Sequence, residues 1–226
     1  MFANRQQAGA LLAEKIACYL RAENIDRSQL IILALPRGGV LVALEIALVL
    51  GCPLNVLAAK KIGAPQQKEL AIGAVTSHGL VVVDETLTRY LSVQPAYIKK
   101  ETEYLINKTR QLEQRWRYAA GIGGDPDIKD KVVIIIDDGV ATGMTATAAG
   151  RSPKKEGASK VILAAPVIAA NTLKSLLLEY DQVIALDIPV EFGAVGQFYA
   201  DFRQIEDLEV VQALTQAMNN NCVKSL

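Results

Sequence analysis

The stretch KVVIIIDDGVATGMTATA, residues 131–148, decides how the chain is read. Its Val and Ile run shows no polar alternation, as in a strand covered on both faces of a parallel sheet. It ends on two adjacent carboxylates, Asp137 and Asp138, then a loop of Gly, Ala and Thr before a helix-like segment from 144. Such a loop lies at the carboxyl edge of the sheet, where open α/β folds bind ligands. Gly139 and Gly143 let successive N–H groups converge, and the helix start adds free amides and the positive end of a dipole. Thr142 and Thr145 add hydroxyl donors, so one end of the ligand is an anion. Carboxylates accept only, so Asp137 and Asp138 need sugar hydroxyls, or a divalent cation bridging to them. A phosphorylated ribose has both ends. A Walker A loop needs Gly-Lys-Ser/Thr, which is missing here, and GIGGDPD (121–127) precedes its strand instead of following it.

Outward from this point, apolar runs at 30–36, 54–59, 160–167 and 182–186 read as further strands. Helix-like segments at 5–22, 39–50, 144–157 and 171–180 separate or precede them. The alternation predicts an α/β fold, a doubly wound, mostly parallel sheet of about five strands, in one domain spanning 1–226. Residues 62–118 interrupt the pattern. They read as a loop and small hairpin (62–93), then a largely solvated helix (95–118) with Pro95 in its first turn and a stripe of Ile98, Leu105 and Leu112. That helix is a candidate cover for the site or a subunit contact.

Composition bounds the partners. Among 226 residues, Lys+Arg and Asp+Glu are both 24, so no bulk basic field favours nucleic acid or anionic membrane. A small-molecule partner fits better. Cys18, Cys52 and Cys222 are odd in number and far apart, as for reduced thiols in a cytoplasmic protein. The start MFANRQQAG does not resemble a signal peptide, and no apolar run reaches the ~18 residues of a membrane span.

A second anion loop stands in LALPRGGVLVALEIA (33–47), where a strand turns into a helix through Pro36, Arg37, Gly38 and Gly39. The glycines allow close backbone approach, and the Arg37 fork suits phosphate oxygens. Lys60 and Lys61 end the second apolar run. Adjacent strand residues point to opposite faces, so one of them, Lys60 by preference, is expected to reach the site.

The acidic pair followed by a Thr-Gly-x-Thr loop resembles the PRPP-binding motif of type I phosphoribosyltransferases. Nearly the full length, roughly residues 5–215, resembles a bacterial group of such proteins through LPRGGV, KKIGAP, ELAIGAV, DDGVATGMT and FGAVGQFYADF. The group is named by fold and motifs, so it brings a reaction class and no acceptor. The resemblance implies that Asp137 and Asp138 hold the ribose hydroxyls, directly or through Mg²⁺. Gly139 and Ala141, Thr142, Gly143, Met144 and Thr145 would cradle the 5-phosphate. Pro36 to Gly39, with a cis Pro36–Arg37 peptide, and Lys60 or Lys61 would take the pyrophosphate. GAPQQKELAIGA (63–74), with Lys68 and Glu69, would be a loop closing over PRPP. The implied activity is Mg²⁺-dependent transfer of the phosphoribosyl group to a nucleobase-like nitrogen, in a homodimer by analogy. The alternative is a non-catalytic protein of this fold that senses PRPP or a nucleotide. A metal-dependent hydrolase would show a further His or Asp cluster.

The acceptor is expected under a C-terminal hood (187–215), in VEFGAVGQFYADFRQ, with Phe192, Tyr199 and Asp201 as candidates. Gly150 and Pro153 depart from the pattern, predicting either a short, kinked helix after the phosphate loop or a loop in that segment. His78, Asp84 and Glu85 read as structural or exposed.

Overall fold

The computed structural model describes residues 1–224, of which 221–224 are described by backbone alone, so Cys222 lies outside the described side chains. The chain opens with α1 (Arg5–Ala22), β1 (Leu30–Ala34), α2 (Gly38–Leu50) and β2 (Leu54–Val56). An insertion follows: β3 (Ala59–Gly63), β4 (Ala71–Thr76), β5 (Val81–Val83), α3 (Glu85–Tyr90) and α4 (Pro95–Ala119). The core resumes with β6 (Val132–Ile136), α5 (Met144–Lys155), β7 (Lys160–Val167), α6 (Ala170–Glu179), β8 (Gln182–Asp187) and α7 (Asp207–Lys224).

The main sheet has five parallel strands in the order β2-β1-β6-β7-β8. The central strands β1 and β6 are apolar throughout, and β7 is apolar after Lys160, because both faces are covered. Ile32, Ala34, Ile134, Ile136 and Ile162 pack towards α1, α2 and α7, whereas Ile31, Leu33, Val133, Ile135 and Leu163 pack towards α5 and α6. Burying each Ile or Leu fully contributes about 1.5–3 kcal/mol. Strand order reverses between β1 and β6, so the ligand crevice of an open α/β sheet falls there. Ala34 is level with Ile136, so the chain leaves both strands at one height.

The insertion is larger than a hairpin. β3, β4 and β5 form a separate antiparallel sheet, with its own core of Ile62, Ile72, Val75 and Leu105. Three expectations are corrected. The second core strand stops at Val56, so Lys60 and Lys61 lie on β3 in this second sheet. The helix after the phosphate loop runs through Gly150 and Pro153 to Lys155. Pro153 is near its end, so one hydrogen bond is lost, and Gly150 leaves room for Tyr180. A Cβ there would lie 2.6 Å from the Tyr180 ring, whose hydroxyl donates to the Ala146 carbonyl at 2.5 Å.

The third correction concerns α4, which is exposed over most of its length as expected but buries more than the apolar stripe. Its apolar residues pack as a stripe, Ile98 and Leu105 on the insertion and Leu112 on the main core. Its C-terminal half also buries Thr109, Glu113, Trp116 and Arg117. Among the described residues, no helix is long and apolar enough to cross a membrane.

Candidate active site

The two turns at the switch point are built against each other. After β1, the Leu35 N–H donates to the Ile136 carbonyl at 2.8 Å, and the Pro36–Arg37 peptide is cis, as the motif implied. Gly38 and Gly39 then pass so close to the end of β6 that neither could carry a side chain in place. A Cβ on Gly38 would stand 1.7 Å from Asp138 Oδ2, and one on Gly39 would stand 2.7 Å from the Ile136 carbonyl oxygen. The acidic pair is therefore fitted to the Pro-Arg-Gly-Gly turn.

On the other side, Asp138, Gly139, Val140, Ala141 and Thr142 lead into α5, whose first amides have no partner inside the helix. Gly143 caps it with a φ of +74°, a left-handed conformation that suits glycine. Thr172 at the start of α6 braces this loop, its hydroxyl donating to the Ala141 carbonyl at 2.5 Å. Met144 and Thr145 form the first helical turn. The arrangement sets the free amides of a helix start and two threonines beside a pair of carboxylates, donors of the kind that suit an anion.

The two carboxylates differ. Asp137 accepts from the Asp138 N–H at 2.8 Å, and burial, then the charge of Asp138, holds it well above the usual carboxylate range. Lys61 works weakly the other way. Asp138 instead pairs with Arg5, whose Nε donates to Oδ2 at 2.7 Å. Arg5 was missed by sequence reasoning: it is one charge at the start of α1, without periodic context. Its guanidinium also donates from Nη1 to the Arg203 carbonyl at 3.0 Å and stacks 3.9 Å from the Phe202 ring centroid.

Of the hood candidates, Tyr199 is not available to stack on a ligand. It is buried, packed between Phe2 and Phe202, and its hydroxyl donates to the Asp138 carbonyl at 2.6 Å. Burial keeps that hydroxyl protonated. Phe192 is half-buried beside Phe198, with ring centroids 5.0 Å apart, and Asp201 is exposed and accepts from the Arg203 N–H.

A cleft of about 400 Å³ adjoins the Pro-Arg-Gly-Gly turn, walled by Arg5, Arg37, Gly38, Lys60, Thr109 and Trp116. Lys60 thus lines this cleft, and Lys61 acts on Asp137 from the same strand. Arg37 is steered by Asp207 at 2.9 Å and by the Ile205 carbonyl, and Asp207 also binds Arg115 of α4 at 2.8 Å. Lys68 is tied to Tyr97 and Glu101 of α4, and Glu69 is exposed.

His78 is placed differently from a plain exposed residue. Its Nδ1 lies 2.9 Å from Glu156 and its Nε2 3.5 Å from Glu113. Against burial, Glu113 first and then Glu156 raise its pKa to about 9. His78, Glu113 and Asp125 bring ligand atoms within 4.8 Å of one another, but Arg117 already pairs with both carboxylates. We read the group as an ion network. Asp84 caps α3 by accepting from the Leu87 N–H, and Glu85 is exposed in the same first turn.

Fold and site together define an open α/β protein in which two glycine-bearing turns flank an acidic pair. Comparison with known proteins agrees: the phosphoribosyl transferase domain family matches residues 3–202. The chain is 37% identical over 218 residues to a Mycobacterium tuberculosis protein provisionally named a phosphoribosyl transferase, covering 96% of this chain and 47% of that one. It therefore spans about half the length of that relative. The crystal structure of TT1426 from Thermus thermophilus superposes with a TM-score of 0.77 at 35% identity, covering 96% of this chain and 98% of that one. A purine phosphoribosyltransferase from Pyrococcus horikoshii is a more distant match, at 19% identity and a TM-score of 0.47, over 86% and 91%. The chain belongs to the phosphoribosyl transferase domain family.

Proposed function

We propose that the chain transfers the 5-phosphoribosyl group of PRPP to a nucleobase-like nitrogen acceptor, releasing pyrophosphate in a Mg²⁺-dependent reaction. The observation that carries this reading is the juxtaposition at the switch point: Gly38 and Gly39 lie against Asp137 and Asp138, with the α5 cradle one turn away. PRPP matches that spacing by its chemistry, with diphosphate and 5-phosphate at two ends of a ribose that carries the hydroxyls.

In this reading the amides and hydroxyls of residues 141–145 take the 5-phosphate. The Pro36–Gly39 turn, Arg37 and Lys60 take the pyrophosphate. Asp137 and Asp138 accept from the ribose hydroxyls. Their oxygen-only donor set suits a hard cation, so they would also hold Mg²⁺ together with the ligand, and the cation would neutralise charge on the leaving group. Positive charge that develops at the anomeric carbon is met by fixed carboxylates, and the protein contributes position and electrostatics without a nucleophile of its own. The balanced charge of the chain supports small-molecule substrates over nucleic acid, and its cysteine pattern supports a cytoplasmic setting. A homodimer rests on family analogy.

One observation favours the sensing alternative: Tyr199 is spent on the Asp138 backbone, so the hood has no aromatic platform at that position. Pyrophosphate release separates the two readings. With PRPP, Mg²⁺ and a panel of purine and pyrimidine bases, the transferase reading expects acceptor-dependent release. PRPP binding with no release under any acceptor would leave the sensing reading.

A further inference from the structure

The transferase motifs account for the two turns and the acidic pair, and leave Arg5 without a role. Arg5 comes from α1, outside both motifs, yet it touches Asp138, the Pro-Arg-Gly-Gly turn and the hood. Its Nε holds Asp138, its guanidinium carbon stacks on Phe202, and a Cβ on Gly38 would lie 2.8 Å from that same Nε. Nη1 is committed to the Arg203 carbonyl. Nη2 makes no hydrogen bond to any described residue, and Arg5 forms part of the wall of the cleft that Arg37 and Lys60 also line. A guanidinium is a rigid planar fork, so fixing two of its nitrogens fixes the aim of the third.

We infer that Arg5 is a substrate-binding residue for the diphosphate end of the ligand: two of its nitrogens lock it to Asp138 and the hood, and Nη2 donates into the cleft beside Arg37 and Lys60. This rests on the reading of the site under Proposed function and adds a residue to it. The same guanidinium spans the acidic pair and the diphosphate turn, so it sets the distance between the two halves of the ligand. An ammonium could keep the pair with Asp138 but could not reach three acceptors in one plane. Arg5→Lys therefore separates ligand binding from the pairing of Asp138.

The test is calorimetric titration of wild type, Arg5→Lys and Arg5→Gln with inorganic pyrophosphate plus Mg²⁺, and separately with ribose 5-phosphate. Thermal unfolding of each variant is recorded alongside. Pyrophosphate affinity is expected to fall about tenfold in Arg5→Lys, the loss of one charge-assisted hydrogen bond, and further in Arg5→Gln. Ribose 5-phosphate affinity in Arg5→Lys should stay within about twofold of wild type, since its phosphate goes to the other cradle. Equal losses for both ligands in Arg5→Lys, tracking a lower melting temperature, would make Arg5 a structural strut and overturn the inference. Tighter pyrophosphate binding in Arg5→Gln would make it a block on the site and overturn it equally. A folded wild type that binds neither ligand would instead bring down the reading of the site itself.

Discussion

Gly38→Ala is expected to reduce PRPP turnover by about 100-fold, the penalty for displacing a reacting group by about 1 Å. The new Cβ would stand 1.7 Å from Asp138 Oδ2, 2.5 Å from its Cγ and 2.8 Å from Arg5 Nε. Either the carboxylate swings away, which breaks its bond to Arg5, or the Pro-Arg-Gly-Gly turn lifts off β6. The turn cannot lift cheaply, because the Leu35 N–H is bonded to the Ile136 carbonyl. Both routes misplace the Asp138 carboxylate relative to the Pro-Arg-Gly-Gly turn. Gly123→Ala is the matched control, since nothing lies within 4 Å of a Cβ there. Steady-state pyrophosphate release on the two variants makes the comparison, and near-wild-type turnover in Gly38→Ala would contradict the packing of the two loops.

Glu113→Gln is expected to have the largest effect on stability. Glu113 is buried, and its Oε2 accepts from the Ala58 N–H at 2.6 Å and the Ser77 hydroxyl at 2.5 Å. Its Oε1 pairs with the buried Arg117 at 2.7 Å. Removing one partner of a buried ion pair costs about 3–5 kcal/mol, and an amide cannot replace both accepting oxygens. For a chain of this size, about 3 kcal/mol lowers the melting temperature by roughly 6–12 °C. The same change removes the main cause of the raised His78 pKa. In the wild type, His78 binds its proton more tightly folded than unfolded. Its contribution is therefore fully present below pH 6.5, declines as the pH rises, and is gone above about 9. Melting curves from about pH 6 to 10 should show that decline in the wild type and a flatter profile in Glu113→Gln. An unchanged melting temperature in the variant would contradict the network.

The core sheet was legible because burial on both faces writes itself as consecutive apolar residues: VVIII, LIILA and VILAA all became strands. The two loops were legible because anion binding by backbone amides needs glycine and hydroxyls at short spacing. What could not be read depends on partners distant in sequence. Arg5 meets Asp138 from 133 positions away, and nothing local marks it. Glu113 and Arg117 read as a solvated helix face because their partners, Ala58, Ser77 and Asn55, lie on other elements. In LNVLAAKKIG no turn residue separates β2 from β3, so one strand was expected where two sheets begin. Tyr199 carried the character of a base platform, and its burial between Phe2 and Phe202 and its hydroxyl bond to Asp138 depend on partners that the local sequence does not show.

The central claim is that Asp137, Asp138 and the two flanking turns form a PRPP site. The most direct test is calorimetric titration of PRPP into wild type and Asp137→Asn/Asp138→Asn, with and without Mg²⁺. Mg²⁺-dependent binding to the wild type and none to the double variant are expected, with a cooperative melt showing both proteins folded. Undiminished binding to the double variant, or no binding to a folded wild type, would contradict it.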